Sequence, residues 1–304
     1  RAAGEALVAG YYEVTVEVDG EVVWGPSEVA SWVPEIGARV YSLTGIQKDQ
    51  TYAQGINVGN GNLVAARTDI VIGNPGPSLD VARFYNSQDV DRIGNELYRA
   101  APGAPENYRI PAPFGANWTA PFNAALLNVR SSYAEGDAVV FRDGTGAYYR
   151  FTYQAGKFVP PAVLTARLVQ PSQYVYLLTD KYATEYEFTA TNSGAAYLTK
   201  ITDANGTVQA INYSDLAAGT IERIQTANRA LAFDYYPNTQ LVRRITIEGV
   251  GWHWDYSYDN SGQDYAARLT DVHGYGGSTK PIDEHYEYDA AGRLAQIERG
   301  SEVI

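Results

Sequence analysis

Residues 286–297 read Tyr-Glu-Tyr-Asp-Ala-Ala-Gly-Arg-Leu-Ala-Gln-Ile, and degenerate copies of that phrase recur along the last third of the chain. A unit of this size is too small to bury its own apolar face. It has to stack on its neighbours, so a recurring period of 20 to 50 residues signals an array. The repeat points to a scaffold before it points to an enzyme.

The copies are counted by the apolar residue that closes each unit: Ile201, Ile224, Ile245, Val272 and Ile297, at intervals of 21 to 27 residues. Each follows another apolar residue three or four positions earlier, namely Leu198, Ile221, Leu241, Leu269 and Leu294. Between these anchors run Ile211 and Tyr213, then Phe233 and Tyr235, then Trp252, Trp254, Tyr256 and Tyr258, then Tyr286 and Tyr288. They sit two apart, which is the period of a strand. Asn205-Gly206, Asn238, Asn260-Ser261-Gly262 and Asp289 to Gly292 interrupt the strands with residues that tolerate positive φ. The expected unit is strand, turn, strand, and the expected fold class is all-β, an antiparallel array.

The phrase Tyr-x-Tyr-Asp-x-x-Gly-Arg-Leu-x-x-Ile resembles the YD repeat of Rhs proteins, teneurins and the C subunits of insecticidal toxin complexes. The resemblance extends upstream. Ile56-Asn57-Val58-Gly59-Asn60-Gly61-Asn62-Leu63-Val64 and Arg83-Phe84-Tyr85-Asn86-Ser87 resemble the strands that open many Rhs cores. Pro113-Phe114-Gly115-Ala116-Asn117-Trp118 is similar to that family's Gly-Pro-Phe-Gly turn. Val140 to Gly144, followed by Tyr149-Arg150-Phe151, resembles its next hairpin. The match covers about residues 50–300. It implies long antiparallel strands that spiral into a shell around cargo. Some members of the family cut themselves at Asp residues in an Asp-Pro-containing segment. Asp-Pro occurs nowhere here, so that activity does not carry over.

Composition fits a secreted or cell-surface β protein, with 25 Tyr and 29 Gly in 304 residues. Without cysteine there is no disulfide and no thiol chemistry. A net charge of −12 disfavours nucleic acid, whose phosphates it would repel. No apolar run is long enough for a membrane-spanning helix, so membrane insertion is not expected. The chain starts at Arg1 and stops after beginning a further unit at 294–304. It is expected to be a processed product or a piece of a longer protein.

Three regions are expected. Residues 1–34 carry a hairpin, with Tyr12, Val14, Val16 and Val18 alternating with polar residues before an Asp19-Gly20 turn into Glu21 to Trp24. This hairpin resembles part of an immunoglobulin-like sandwich. Residues 35–130 hold the opening strands and a long irregular stretch at about 88–121. A loop of that length is either functional or packs as an interior plug. Residues 131–304 are the array. A single helical turn is expected at most, at Leu216 to Gly219 and within Thr119 to Leu127.

No catalytic, cofactor-binding or metal-binding residue is expected. His253, His273 and His285 lack the spacing of a zinc site and read as strand histidines. Asp203-x-Asn205-Gly206 resembles the start of a calcium loop, but Ser214 stands where a calcium loop needs its closing Glu, so it reads as a turn. Asp255, Asp259 and Asp264 are candidate oxygen ligands, with a solvated turn as the plainer reading. Trp252 and Trp254 are a candidate sugar platform or, at period two, a packing ladder. There is no nucleophile elbow and no phosphate loop. The expected function is therefore a non-catalytic structural scaffold, part of a secreted or surface β shell that encloses or displays cargo. Two alternatives stay open. One is an extracellular filament or surface-layer subunit assembling through strand edges, and the other is a carbohydrate-binding module. Expected partners are the rest of a longer chain or other copies of itself, with glycan as a further candidate.

Overall fold

A computed structural model describes side chains over residues 63–73, 76–87, 111–191, 194–259, 267–276 and 283–300, and backbone strands at 10–18, 21–31, 52–53, 56–57, 62 and 302–303. The Asp19-Gly20 and Asn260-Ser261-Gly262 turns, Asp264 and residues 88–110 lie outside the described residues.

The period-two alternation produces strands throughout. β1 (Gly10–Val18) and β2 (Glu21–Ser31) pair with each other antiparallel. A five-stranded meander follows: β3 (Tyr52–Ala53), β4 (Ile56–Asn57), β5 (Asn62–Ile70), β6 (Val81–Asn86) and β7 (Trp118–Thr119). The one helical element among the described residues is a 3-10 turn at Pro121–Asn123, inside the stretch Thr119 to Leu127. Leu216 to Gly219 forms a β-turn instead, closed by Gly219 N–H on Leu216 O.

The large sheet comprises β8 (Ala125–Leu127), β9 (Ala138–Arg142), β10 (Tyr148–Gln154), β11 (Lys157–Val159), β12 (Ala166–Ser172), β13 (Val175–Asp180), β14 (Glu185–Ala190) and β15 (Ala195–Thr202). It continues through β16 (Val208–Asp215), β17 (Thr220–Gln225), β18 (Ala230–Tyr235), β19 (Val242–Ile247), β20 (His253–Asp259), β21 (Arg268–Tyr275), β22 (Asp283–Tyr288), β23 (Leu294–Arg299) and β24 (Glu302–Val303). Every ladder in it is antiparallel.

β15 is the junction. One of its edges carries β14; the other carries β8 along Ala195–Tyr197 and β16 along Lys200–Thr202. The ladder order returns on itself at this point, and β16 to β24 carry the sheet onward. β8 is consequently buried on both faces: Leu126 enters the main core, while Ala125 and Leu127 enter a second cluster with Val140, Tyr148 and Tyr197. The period of two sorts one tripeptide into two cores.

The repeat anchors line the main core. Leu198, Ile221, Ile224, Ile245, Leu269, Val272, Leu294 and Ile297 are buried in it, with Ile201 half-buried beside them; Leu241 is buried but outside this core, and Val242, three before Ile245, takes its place. Opposite them sit Ile70, Leu79, Val81, Tyr85, Phe114, Trp118 and Phe122 from the opening segment. That segment is a plug on the inner face of the sheet. Of the long irregular stretch, residues 111–121 are described and belong to it; 111–115 and 118–120 are buried, 116 and 117 half-buried and 121 exposed. Gly144 shows how tightly it seats, because a Cβ there would lie 2.3 Å from Pro121 Cα. Only glycine lets that hairpin turn meet the plug backbone.

One turn geometry is used four times. The Asp289 Oδ1 atom accepts the N–H groups of Ala291 and Arg293, each at 2.9 Å, while Gly292 N–H returns to Asp289 O. Gly292 takes φ +76°, which a side chain resists and glycine does not. Asp203 does the same to Asn205 and Thr207, Asp180 to Tyr182 and Thr184, and Asp143 to Thr145 and Ala147. In each copy the residue three after the aspartate has positive φ and donates to the aspartate carbonyl. The aspartate satisfies the loop donors that the ladder leaves over.

Candidate functional site

The strongest concentration of buried charge lies where the plug meets the array. Arg83 on β6 is 0% exposed. Its Nε and Nη2 donate to Asp69 Oδ2 and Oδ1 at 2.6 and 2.7 Å, and Nη2 also donates to Glu284 Oε2 at 3.0 Å. Tyr256 O–H donates to Asp69 Oδ2 at 2.8 Å, and Tyr286 O–H to Glu284 Oε2 at 2.5 Å. The guanidinium stands over the rings of Trp118, Tyr286 and Tyr256 at 5.2, 5.4 and 5.9 Å. Such pairing is what makes a buried ion cluster tolerable, although Arg83 Nη1 is buried without a hydrogen-bond partner.

The electrostatics follow from that geometry. Burial opposes the charge on Arg83, yet the Asp69 carboxylate holds its pKa well above the ordinary value. Burial, reinforced by Asp69, pushes the Tyr256 hydroxyl well up. Burial likewise raises Tyr286, against the pull of Arg83. Both hydroxyls therefore stay protonated and act as donors at neutral pH. Arg83 alone does not balance two carboxylates, and Arg67 Nε at 3.8 Å and Arg299 Nε at 3.6 Å from Glu284 Oε1 add to its charge.

Further polar contacts fix the plug beside it. Tyr85 O–H accepts Leu294 N–H at 2.9 Å, and Trp118 Nε1–H donates to Tyr288 O–H at 3.0 Å. Pro113 O accepts both Val242 N–H and Tyr258 O–H, and Ala116 N–H donates to Ala267 O. The sequence motifs Arg83 to Ser87 and Pro113 to Trp118 thus supply the contacts to β19, β20, β22 and β23.

The residues singled out in the sequence are placed apart from this cluster. His253, His273 and His285 fall on three neighbouring strands, β20 to β22. His273 Nδ1 lies 2.7 Å from Asp283 and His285 Nδ1 2.8 Å from Asp271, while His253 stacks on Tyr275. Asp255 is bound in bidentate fashion by Arg244, whose hydrogen bonds hold its carboxyl below the usual range. Asp259 is bound by Arg268 Nε and by Arg268 N–H. Asp203 Oδ1 is occupied by its own turn. Among the described residues no group of three or more His, Asp or Glu is placed to hold a metal ion. Trp254 packs on the core and Trp252 is 43% exposed at the end of the same face. Tyr275, stacked on His253, belongs to the alternate face, so Trp252 and Tyr275 do not form one platform.

Sequence reasoning missed Asp69, Glu284 and the turn at Asp180, and it marked the Asp143 hairpin without the aspartate that closes it. The turns had a signal, an aspartate followed three residues later by Gly or Ala between two strands. The partnership of Asp69 with Glu284 had none.

Residues 53–151 match the family model described as Domain of unknown function (DUF6531). That span runs from the end of β3 into β10 and contains the whole described plug. Among solved structures, the chain is similar to the Photorhabdus luminescens Tc holotoxin pore at 15% identity and TM-score 0.27, covering 55% of this chain and 10% of that one. It is also similar to a porin-like protein from Bacteroides uniformis at 12% identity and TM-score 0.32, covering 61% of this chain and 96% of that one. Neither overlay is close enough to establish a fold, which stands on the ladders and core described above. No curated protein matches the sequence.

Proposed function

We propose that the chain is a non-catalytic structural element of a YD-repeat shell of the Rhs type, secreted or displayed at the cell surface, that encloses or displays cargo. The observation that carries this reading is the Arg83–Asp69–Glu284 cluster, which spends its charges on seating the opening segment against the array. The match of the DUF6531 model to that segment supports the same reading. So does the repeated aspartate turn, a device for extending a sheet by similar units. The partners proposed are further parts of a longer chain or other copies of this one, joined through strand edges.

Light scattering of the purified chain at rising concentration tests edge pairing, with and without residues 1–34. The expected result is a mass that grows with concentration and falls when residues 1–34 are removed. A monodisperse monomer in both forms overturns the proposed partners. The non-catalytic reading is tested with a panel of peptide, ester and glycoside substrates. Turnover abolished by one substitution that leaves the circular-dichroism spectrum unchanged overturns it.

A further inference from the structure

The chain has three histidines, and they fall on three consecutive strands, β20 to β22. Val272 and Glu284 are buried on the inner face, so Asp271, His273, Asp283 and His285, one residue to either side, point outward. These four form a square. Across the β21–β22 ladder Asp271 is opposite His285, and His273 is opposite Asp283. His273 Nδ1 lies 2.7 Å from Asp283 Oδ1, and His285 Nδ1 lies 2.8 Å from Asp271 Oδ1. One contact is the other reversed across the ladder. The histidines take one diagonal of the square and the aspartates take the other.

Each carboxylate keeps the ring proton on Nδ1, which leaves the lone pair of the neutral imidazole on Nε2. Among the described residues, none bonds to either Nε2. Metal-ligating histidines are held in this way, with one nitrogen on the cation and the other on a carboxylate that fixes the ring. Diagonal neighbours across an antiparallel ladder stand about 7–8 Å apart, within reach of long side chains. His285 lies two residues beyond Asp283, and the right-handed twist shortens the diagonal from His273 to His285 at the expense of the other. The surroundings favour a cation. Asp255 is opposite His273 on β20, and Glu287 and Glu298 act on His285. Arg244 is taken up by Asp255. His253 stands apart, stacked on Tyr275 with its Nδ1 3.3 Å from Gly251 O.

We propose that His273 and His285 bind a divalent transition-metal cation of the zinc or copper class through their Nε2 atoms, with Asp283 and Asp271 orienting the rings and water completing the coordination. Imidazole suits these ions, whereas calcium and magnesium select oxygen ligands. A closed structural zinc site has four protein ligands, so an ion held by two is exchangeable. It ties β21 to β22 on the outer face, as Glu284 ties β22 to the plug on the inner one. The site goes beyond the scaffold reading and does not depend on it, since it belongs to two array strands whether or not they are part of a shell.

Three histidines give three imidazole spin systems, which nuclear magnetic resonance resolves in the whole chain. Zinc sulfate titrated near neutral pH is expected to shift the ring signals of His273 and His285 together and saturably, with His253 unmoved. Calcium chloride at the same concentration is expected to move none of them. His273→Gln and His285→Gln are each expected to weaken zinc binding, read by calorimetry, about tenfold or more and to remove the saturable shift at the histidine that remains. Asp271→Asn keeps both ligands and is expected to weaken binding about tenfold, the loss seen when the carboxylate behind a ligating histidine is removed. All these side chains are at least partly exposed, so the variants are expected to fold, and circular dichroism checks that. The ring signals of the unmodified chain test the site without any substitution. No saturable shift, an equal response at His253, an equal response to calcium, a shift at one histidine that survives loss of the other, or zinc binding unchanged in Asp271→Asn would each overturn the proposal.

Discussion

In the array, each strand from β16 to β23 is held by the strand before it and the strand after it, and the loops that lead into β16 and β23 are closed by Asp203 and Asp289 on their own backbone. In the opening segment, Arg83 reaches Glu284, 201 positions further on, and Tyr85 reaches Leu294, 209 positions on. The array is thus a sum of similar local units, while the plug is one nonlocal fit. Loss of an array residue is expected to loosen its own neighbourhood. Loss of a plug residue is expected to loosen the contact between the two regions.

The largest effect expected from this contrast is at Arg83. Arg83→Met leaves Asp69 and Glu284 buried without their cation and is expected to destabilise by about 3–5 kcal/mol in urea unfolding. The triple variant Arg83→Met, Asp69→Leu, Glu284→Leu removes the three buried charges, leaves Arg67 and Arg299 without Glu284, and is expected to regain part of that. A single-variant loss under about 1 kcal/mol would mean that the cluster does not lock the plug.

Next is Ile297→Ala, expected to destabilise by about 2–5 kcal/mol because the residue is buried against the plug-facing core. Hydrogen exchange sharpens the comparison. Protection is expected to fall first in β22 and β23 and to persist in β9, β10 and β14. Uniform loss across all strands would break the picture of local units.

Smaller again is Gly292→Val, expected to destabilise by about 1–2 kcal/mol from the left-handed backbone alone. Gly206→Val, in an equivalent turn, is expected to match it, because open space surrounds both positions apart from one distant Arg268 contact at 3.6 Å. Thermal unfolding of the two variants reads the equivalence. A neutral result at either site would remove it from the set of shared turns.

The smallest effect is electrostatic. The hydrogen bond to Asp271 raises the pKa of His285 above its ordinary value. A raised folded pKa gives stability that is complete below the unfolded pKa, near 6.5, and is lost as pH rises through the folded one. The pair is about half exposed, so under about 1 kcal/mol is expected. A melting temperature that drops slightly across that window, and a His285→Gln variant that lacks the drop, is the expected result.

Much of the array is legible residue by residue. Tyr286 and Ile297 pair directly across β22 and β23, while Tyr288 meets Leu294 through a register shift that the period alone does not give. The strand alternation and the Gly292 turn depend on φ preference and on which side chains share a face, and both are local properties. Asp180 was harder to read, because Ala183 takes the positive φ there in place of glycine. The opening motifs announced themselves as unusual strings, but nothing in them named their partners. The irregular stretch was legible as either functional or interior, and for its described end the packing of Phe114 on Tyr256 and of Trp118 on Tyr286 shows an interior position.

By itself the sequence determined that the chain is β throughout, where its repeat units close, and which residues of each unit face inward. These follow from the two-residue period of a strand and from turn chemistry, which act over a few positions. Only the tertiary structure decided that β15 takes both β8 and β16 on one edge, that Arg83 is bracketed by Asp69 and Glu284, and that Tyr85 of the plug accepts the Leu294 N–H of the array. Each of those depends on how far the sheet curls before it meets the plug. Curl is a sum of small strand twists over many strands, and no single stretch of residues contains it.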